Sequence, residues 1–368
     1  MSDFIPLASP DIRDEDIDSM VKVLKTGNLV QGIHVLNFER QISQYLNVAE
    51  CVAMTNGTST LQLTLLALGI GRGDEVIVPA LSYIATANVV ELVGAKPVFV
   101  DIDLDTFNLD SSLLDRVINE RTKAIIVVHE FGLTCDLFSV KTICDEHNIH
   151  MIEDAACALG ALEGESYAGT IGIAGSFSFH PRKAITSGEG GAVVTNDVEL
   201  ASKLRALRNH GLDPDNKVNM DFIIPGFNCR MTDFQAALLG SQMKRINAII
   251  DKKQKIAQRY FEEINNPKIK LPQVPQNKRH SWQTFHVVVA HPLTQKSVIA
   301  TLRSNGIGVN YGAQCMPDQT YFKNKYKDNS KEDFPMAYKA YKQGIALPIY
   351  EKLTDTQVSK IIDSVNRL

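Results

Sequence analysis

No stretch of the 368-residue chain approaches the roughly 18 consecutive apolar residues of a membrane-spanning helix. The opening segment "MSDFIPLASPDIRDEDID" is acidic and lacks both the basic and the apolar region of a secretory signal, which points to a cytoplasmic protein. The six cysteines (51, 135, 144, 157, 229 and 315) contain no CxxC pair, which argues against a disulfide frame or a zinc site and for reduced thiols, most of them small core residues. Basic residues are not in excess: 38 Lys and Arg stand against 42 Asp and Glu, a net charge of −4. A general polyanion-binding face is therefore not implied, although a local basic pocket is compatible with this balance. Internal repeats and low-complexity tracts are also missing. What remains is an ordinary globular composition, 44% hydrophobic and 22% charged, in a chain long enough for a large core and more than one domain.

From residue 50 to about 200, short β-branched runs alternate with helix-length amphipathic stretches. The strand candidates are "CVAMT", "EVIVPA", "PVFVDID", "AIIVVHEFG", "HMIEDAA", "GSFSFH" and "GAVVTN"; "STLQLTLLALG", "TANVVELVG" and "SVKTICDEHN" read as helices between them. This alternation predicts an α/β layer with a mostly parallel central sheet. From Met231 the spacing turns helical through "MTDFQAALLGSQMKRINAIIDKKQKIAQRYFEEIN". The Pro- and Lys-rich "NNPKIKLPQVPQNKRH" reads as a connection to a smaller α+β unit. That unit comprises the strand "WQTFHVVVA", the helix "TQKSVIATLRSNG", the strands "GIGVNY" and "ALPIY", and a closing helix "TDTQVSKIIDSVNRL". The division expected is a large domain over 1–245 and, over 246–368, a long connecting helix with a small C-terminal domain.

Three motifs could carry chemistry. In "TNGTSTL", Gly57, Thr58 and Ser59 lie between a strand and a helix, where unpaired N–H groups and the helix dipole favour an anion; a plain N-cap is the alternative. The nearby "GIGRGD" imitates part of a dinucleotide fingerprint, but it follows a helix and precedes a strand, the wrong order, and reads as a helix stop and turn. Asp154 ends the strand-like "HMIED", and ligands of open α/β sheets gather at the carboxyl ends of strands, where a carboxylate could hold a positively charged nitrogen; a strand-end cap is the alternative. In "PALSYIATANVV" another strand ends and Tyr83 enters the next helix, as a core ring or as the floor under a flat ligand. In "SFSFHPRKAITSGEGGAVVTND" a single amine, Lys183, sits on a glycine-rich bend between two strand-like runs. A helix N-terminus for phosphate, an acid for a ring nitrogen, an aromatic to stack and a lysine to form an imine are together the needs of pyridoxal 5′-phosphate.

At this point the chain resembles the DegT/DnrJ/EryC1/StrS family of sugar aminotransferases, nearly end to end. The motifs are "GNLVQGIHVLNFE", "TNGTSTL", "PALSYIATANVV", "GAKPVFVDID", "VHEFGLTCD", "IEDAACALGA", the Lys183 segment, "GFNCRMTDFQAAL" and "ALPIY" before "LTDTQ". The resemblance implies the fold-type I aminotransferase architecture. It implies Lys183 as the Schiff-base lysine and proton carrier, Asp154 as partner of the pyridine nitrogen and Tyr83 as the ring that stacks on the cofactor. Gly57, Thr58, Ser59 and Ser178 are implied to hold its phosphate. Asn228 is implied to reach the phosphate of a neighbouring subunit, in a homodimer with shared active sites, with Arg230 positioning its loop. Cys157 stands where many relatives carry a glutamine that touches the ring hydroxyl, and a thiol is a weak donor. Relatives that are 3-dehydratases have histidine at the lysine position, so Lys183 favours transamination.

The activity implied is transfer of an amino group from L-glutamate to a nucleotide-linked keto-deoxy sugar. The favoured acceptor is C4 of a 4-keto-6-deoxyhexose, as in perosamine- or viosamine-type synthesis for surface polysaccharide. Amination at C3, or of another keto sugar, is the alternative. A cofactor-binding regulator without turnover is disfavoured by the negative net charge and by the lack of a DNA-binding appendage ahead of the enzyme-like segment. Candidate substrate contacts are the loop Asn28 to Gly32, His180, Arg182, Glu189 and the segment "NYGAQCMPD".

Overall fold

A computed structural model describes every residue except 1–3, 217–219, 328 and 330; the first three residues of the acidic N-terminal stretch therefore lie outside the described residues. All seven β-branched runs become strands of one sheet: β1 Glu50–Met54, β2 Glu75–Pro79, β3 Lys96–Val100, β4 Thr122–Val128, β5 His150–Asp154, β6 Ala174–Ser178 and β7 Gly191–Thr195. Helices cover both faces of this sheet, so its central strands are near-continuously apolar and buried rather than alternating.

The order across the sheet is β1-β7-β6-β5-β4-β2-β3. The pairs from β6 to β3 are parallel, whereas β7 is antiparallel to both β6 and β1. The reversal of β7 matters for the site. The chain leaves the sheet at Ser178 and re-enters at Gly191, directly opposite it in register, so the excursion carrying Lys183 hangs over the carboxyl edge where β4 and β5 also end. The glycines of "GEGG" make this return possible. Gly188 has φ +82°, a left-handed backbone. A side chain on Gly191 would place its Cβ 2.5 Å from the carbonyl carbon of Asn56.

The smaller unit is a three-stranded antiparallel sheet of Ile269–Lys270, Phe285–Val289 and Gly344–Leu347, flanked by helices Gln295–Ser304 and Asp355–Asn366. Its core includes Tyr260, Phe285, Ile345 and Ile361, and the N-terminal Ile5 joins it. Tyr260 is fully buried and its hydroxyl donates to Pro348 O at 2.7 Å.

Three local expectations differ from the structure. The helical run after Met231 is two helices, Asp233–Met243 and Ile246–Glu263. Between them Arg245 turns to the buried Asp16, donating at 2.9 and 2.6 Å. "GIGVNY" forms no regular strand; it makes single bridges, Ile5 to Ile307 and Asn310 to Ala346, and a Cβ on Gly308 would meet the Leu7 nitrogen at 2.8 Å. The Pro- and Lys-rich connection contains two short strands, Ile269–Lys270 and Lys278–Arg279, the second pairing with Leu162–Glu163.

Candidate active site

The carboxyl edge of the sheet gathers the expected chemistry. The helix Gly57–Ala67 begins there. Its N-cap Asn56 accepts from Ser59 N–H at 2.8 Å, and the first intrahelical bond runs from Thr60 N–H to Asn56 O. The N–H groups of Gly57 and Thr58 precede that bond and are left for an anion. A Cβ on Gly57 would lie 2.9 Å from Ser178 Cβ and 3.4 Å from Ser178 Oγ. The missing side chain is thus what lets the helix end close against β6 and bring the Ser178 hydroxyl beside Gly57, Thr58 and Ser59.

Asp154, the last residue of β5, is 7% exposed. Its Oδ2 accepts from the Thr86 hydroxyl at 2.9 Å and its Oδ1 from Ala156 N–H at 3.2 Å. Burial pushes this carboxyl above its ordinary range, opposed by those two hydrogen bonds and by the positive charge of Lys183. A buried carboxylate of this kind favours a cation placed against it.

Lys183 donates to Cys157 Sγ at 3.1 Å, and no carboxylate pairs with it among the described residues. Burial raises the Cys157 thiol above its usual value while Lys183 pulls it down. Sulfur is a weak acceptor, so the amine is oriented without an ion pair that must break before it moves. Cys157 therefore touches the lysine, a contact that the glutamine comparison does not anticipate.

Tyr83 stands 67% exposed in the single chain, just before the helix Ala85–Leu92. Asn228 is also exposed. It bridges Asn209, whose side chain accepts from Arg230 Nη1 at 2.5 Å, and Thr55 N–H bonds the adjacent Cys229 carbonyl at 3.0 Å. Arg230 thus holds the Asn228 loop beside the "TNG" turn. Among the other candidate contacts, His180 Nδ1 accepts from Arg182 N–H at 3.3 Å, and the Glu189 carbonyl takes Ser187 and Gln235.

Several groups of this edge escaped sequence reasoning. Val128 pairs with Asp154 in register, which sets the residues following β4 beside that acid. His129 and Glu153 are fully buried and 2.8 Å apart. His129 Nδ1 accepts from Cys135 N–H, so its hydrogen is on Nε2 and is donated to Glu153. Glu153 further accepts from the N–H groups of Gly169, Ile171 and Gly172; it is a structural anchor behind Asp154. Glu130 is buried beside Asp154 and Lys183, and burial followed by the Asp154 charge push its carboxyl up to about 8. The available signal was "VHEFG", a second strand-end acid parallel to "MIEDAA".

Comparison with known proteins agrees with this geometry. The chain is 35% identical over 378 residues to GDP-perosamine synthase of Caulobacter vibrioides, covering 100% of both. It is 34% identical over 350 residues to dTDP-3-amino-3,6-dideoxy-alpha-D-galactopyranose transaminase of Aneurinibacillus thermoaerophilus, covering 95% of this chain and 94% of that one. Its fold matches the PMP-form of the putative sugar aminotransferase Spr1654 from Streptococcus pneumoniae with a TM-score of 0.93 at 29% identity, over 99% of this chain and 97% of the other. The profile of the DegT/DnrJ/EryC1/StrS aminotransferase family matches residues 10–366, and the chain belongs to that family.

Proposed function

We propose that this protein transfers the amino group of L-glutamate to C4 of a nucleotide-linked 4-keto-6-deoxyhexose, in the making of a surface polysaccharide. At the coarser level it is a pyridoxal phosphate-dependent aminotransferase of nucleotide sugars. The observation that carries the reading is convergence at one sheet edge of an amine without an ion pair, a buried carboxylate and a helix N-terminus closed on a serine.

This donor set fits pyridoxal 5′-phosphate. Gly57, Thr58, Ser59 and Ser178 would hold its phosphate, Asp154 its ring nitrogen and Tyr83 the face of its ring. When bound, the cofactor supplies an electron sink for the carbon that loses a proton. Lys183 Nζ takes the proton from the α-carbon of the amino donor and, in the second half-reaction, returns one to the sugar carbon that accepts the amine. Cys157 orients that nitrogen between transfers, and Thr86 orients Asp154 so that its charge faces the site. Asn228 completes the phosphate site of a partner in a cytoplasmic homodimer. The exposure of Val30 (70%) and Phe222 (55%) in the single chain supports a covering second subunit.

The C4 assignment draws on the likeness to GDP-perosamine synthase; the 3-amino-sugar transaminase, at nearly the same identity, is the observation behind a C3 reading. The test is incubation with glutamate and a panel of nucleotide-linked 3-keto and 4-keto sugars. Products are read by mass spectrometry and the amine position by NMR. Amine at C4 supports the proposal; amine at C3 alone replaces it with the second reading; no glutamate-dependent product with any keto sugar overturns both.

A further inference from the structure

Nine aspartates and glutamates are buried among the described residues, and eight have partners that stabilise a negative charge. Asp16, Glu39, Glu75 and Glu163 each sit on an arginine or lysine. Asp101 and Asp233 each take two backbone N–H groups. Glu153 and Asp154 are held as described above. Glu130 is the exception: it is 5% exposed and forms no ion pair among the described residues; of the groups around it only the Lys183 charge and the Ser82 hydroxyl favour its ionised form.

The turn that carries Glu130 is built to keep it inside. Phe131 has φ +57°, a conformation that costs a bulky residue energy, and its ring is pinned by stacking on His286 at 4.3 Å. Gly132 has no room for a side chain beside Ser281 and the Cys157 carbonyl. Glu130 N–H donates to Asn108 Oδ1 at 2.8 Å.

Thr86 donates its hydroxyl hydrogen to Asp154 Oδ2 and Ala156 N–H donates to Oδ1, so two donors stabilise a negative charge on Asp154. Val128 lies opposite Asp154 in register and His129 N–H donates to the Asp154 carbonyl, which sets Glu130 beside that acid. An ionised Glu130 would put a second anion there, buried and without an ion pair. We infer that Glu130 is a neutral carboxylic acid in the enzyme, while Asp154 beside it is the carrier of negative charge in the pair. The inference concerns groups of this chain and does not depend on which sugar is aminated.

The groups facing Glu130 are Asp154 from β5, Cys157 from the turn after it, Lys183 from the excursion after β6 and Ser82. The balance of burial and Asp154 against Lys183 and Ser82 puts its midpoint at about 8. Infrared spectra of the holoenzyme should therefore show a carboxylic-acid carbonyl band at neutral pH. The band should be missing in Glu130→Gln and fade as pH rises through about 8. The visible cofactor band should carry a titration step with the same midpoint, absent in Glu130→Gln. Asp154→Asn should move that midpoint downward, because it removes the charge that holds the proton on. A neutral-pH spectrum without the acid band, or a band that survives in Glu130→Gln, overturns the inference. Should Glu130→Gln not fold, the wild-type titration and Asp154→Asn decide: a midpoint indifferent to Asp154→Asn overturns it.

Discussion

Substituting Gly57 by alanine tests how the cofactor cradle is built. The added Cβ would lie 2.9 Å from Ser178 Cβ and 3.4 Å from Phe177 O, so either the helix Gly57–Ala67 or the end of β6 must retreat by several tenths of an ångström. Overpacking of this kind costs about 1–3 kcal/mol. Alanine recovers about 0.4–1 kcal/mol by restricting the unfolded chain, leaving a net loss on the order of 1 kcal/mol. Ser178→Gly removes the atom that is struck and by itself costs about 0.5–1 kcal/mol as a strand glycine. If the clash is the cause, the double variant is more stable than the two single losses predict, with a coupling equal to the clash itself, about 1–3 kcal/mol, because the unfolded-chain term cancels in the cycle. Urea denaturation of the four proteins without cofactor measures this. Cofactor affinity should fall in Gly57→Ala and stay low in the double variant, because relief of the clash does not restore the Ser178 hydroxyl. Additive stabilities, within about 0.3–0.5 kcal/mol, would refute the close-approach argument.

Asp154→Asn should fold and bind cofactor yet lose turnover by on the order of a hundredfold or more, the cost of a lost charge in a dry site; near-normal steady-state rates would remove it from the ring-nitrogen role. Lys183→Ala and Asn228→Asp should each be inactive or strongly impaired, but mixed with subunit exchange they should regain activity, since roughly a quarter of sites then carry neither defect. Proven exchange between differently tagged chains without recovery would place Asn228 in its own chain's site. Glu130 also sets a pH dependence. Its folded value of about 8 lies above the ordinary 4.5, so within that window the fold keeps a proton that the unfolded chain releases. Stability then falls as pH rises across the window and is level above it, by an upper bound of a few kcal/mol. Glu130→Gln should accordingly raise the melting temperature more near pH 8 than near pH 5; equal shifts at both would contradict this.

Much of the fold was legible because its strands are buried on both faces. "EVIVPA" and "AIIVVHEFG" are continuous β-branched runs, and helix and turn punctuation separates them. The reversed direction of β7 was not legible: "GAVVTN" reads the same either way, and its direction follows from Gly191 meeting Ser178 in register. The break at Lys244–Arg245 depends on Asp16, far away in sequence, while the residues around it keep a helical spacing. In the site, Asp154 and Lys183 were legible as an acid at a strand end and an amine on a glycine-rich bend. Thr86 and Glu130 were not. Thr86 reads as an ordinary helix residue until its hydroxyl is seen against Asp154. Glu130 acquires its role only when Val128 aligns with Asp154.

Lys183 is the amine we propose to join the cofactor at this edge of the sheet. The direct measurement is borohydride reduction of the yellow holoenzyme, proteolysis and mass mapping of the modified peptide, with a glutamate-treated sample as the control. Reduced cofactor is expected on the peptide containing Lys183, with loss of both visible colour and labelling once glutamate has converted the cofactor to its amine form. Label on a different lysine, or labelling that glutamate leaves unchanged in protein that is active with a keto sugar, would contradict the Lys183 assignment.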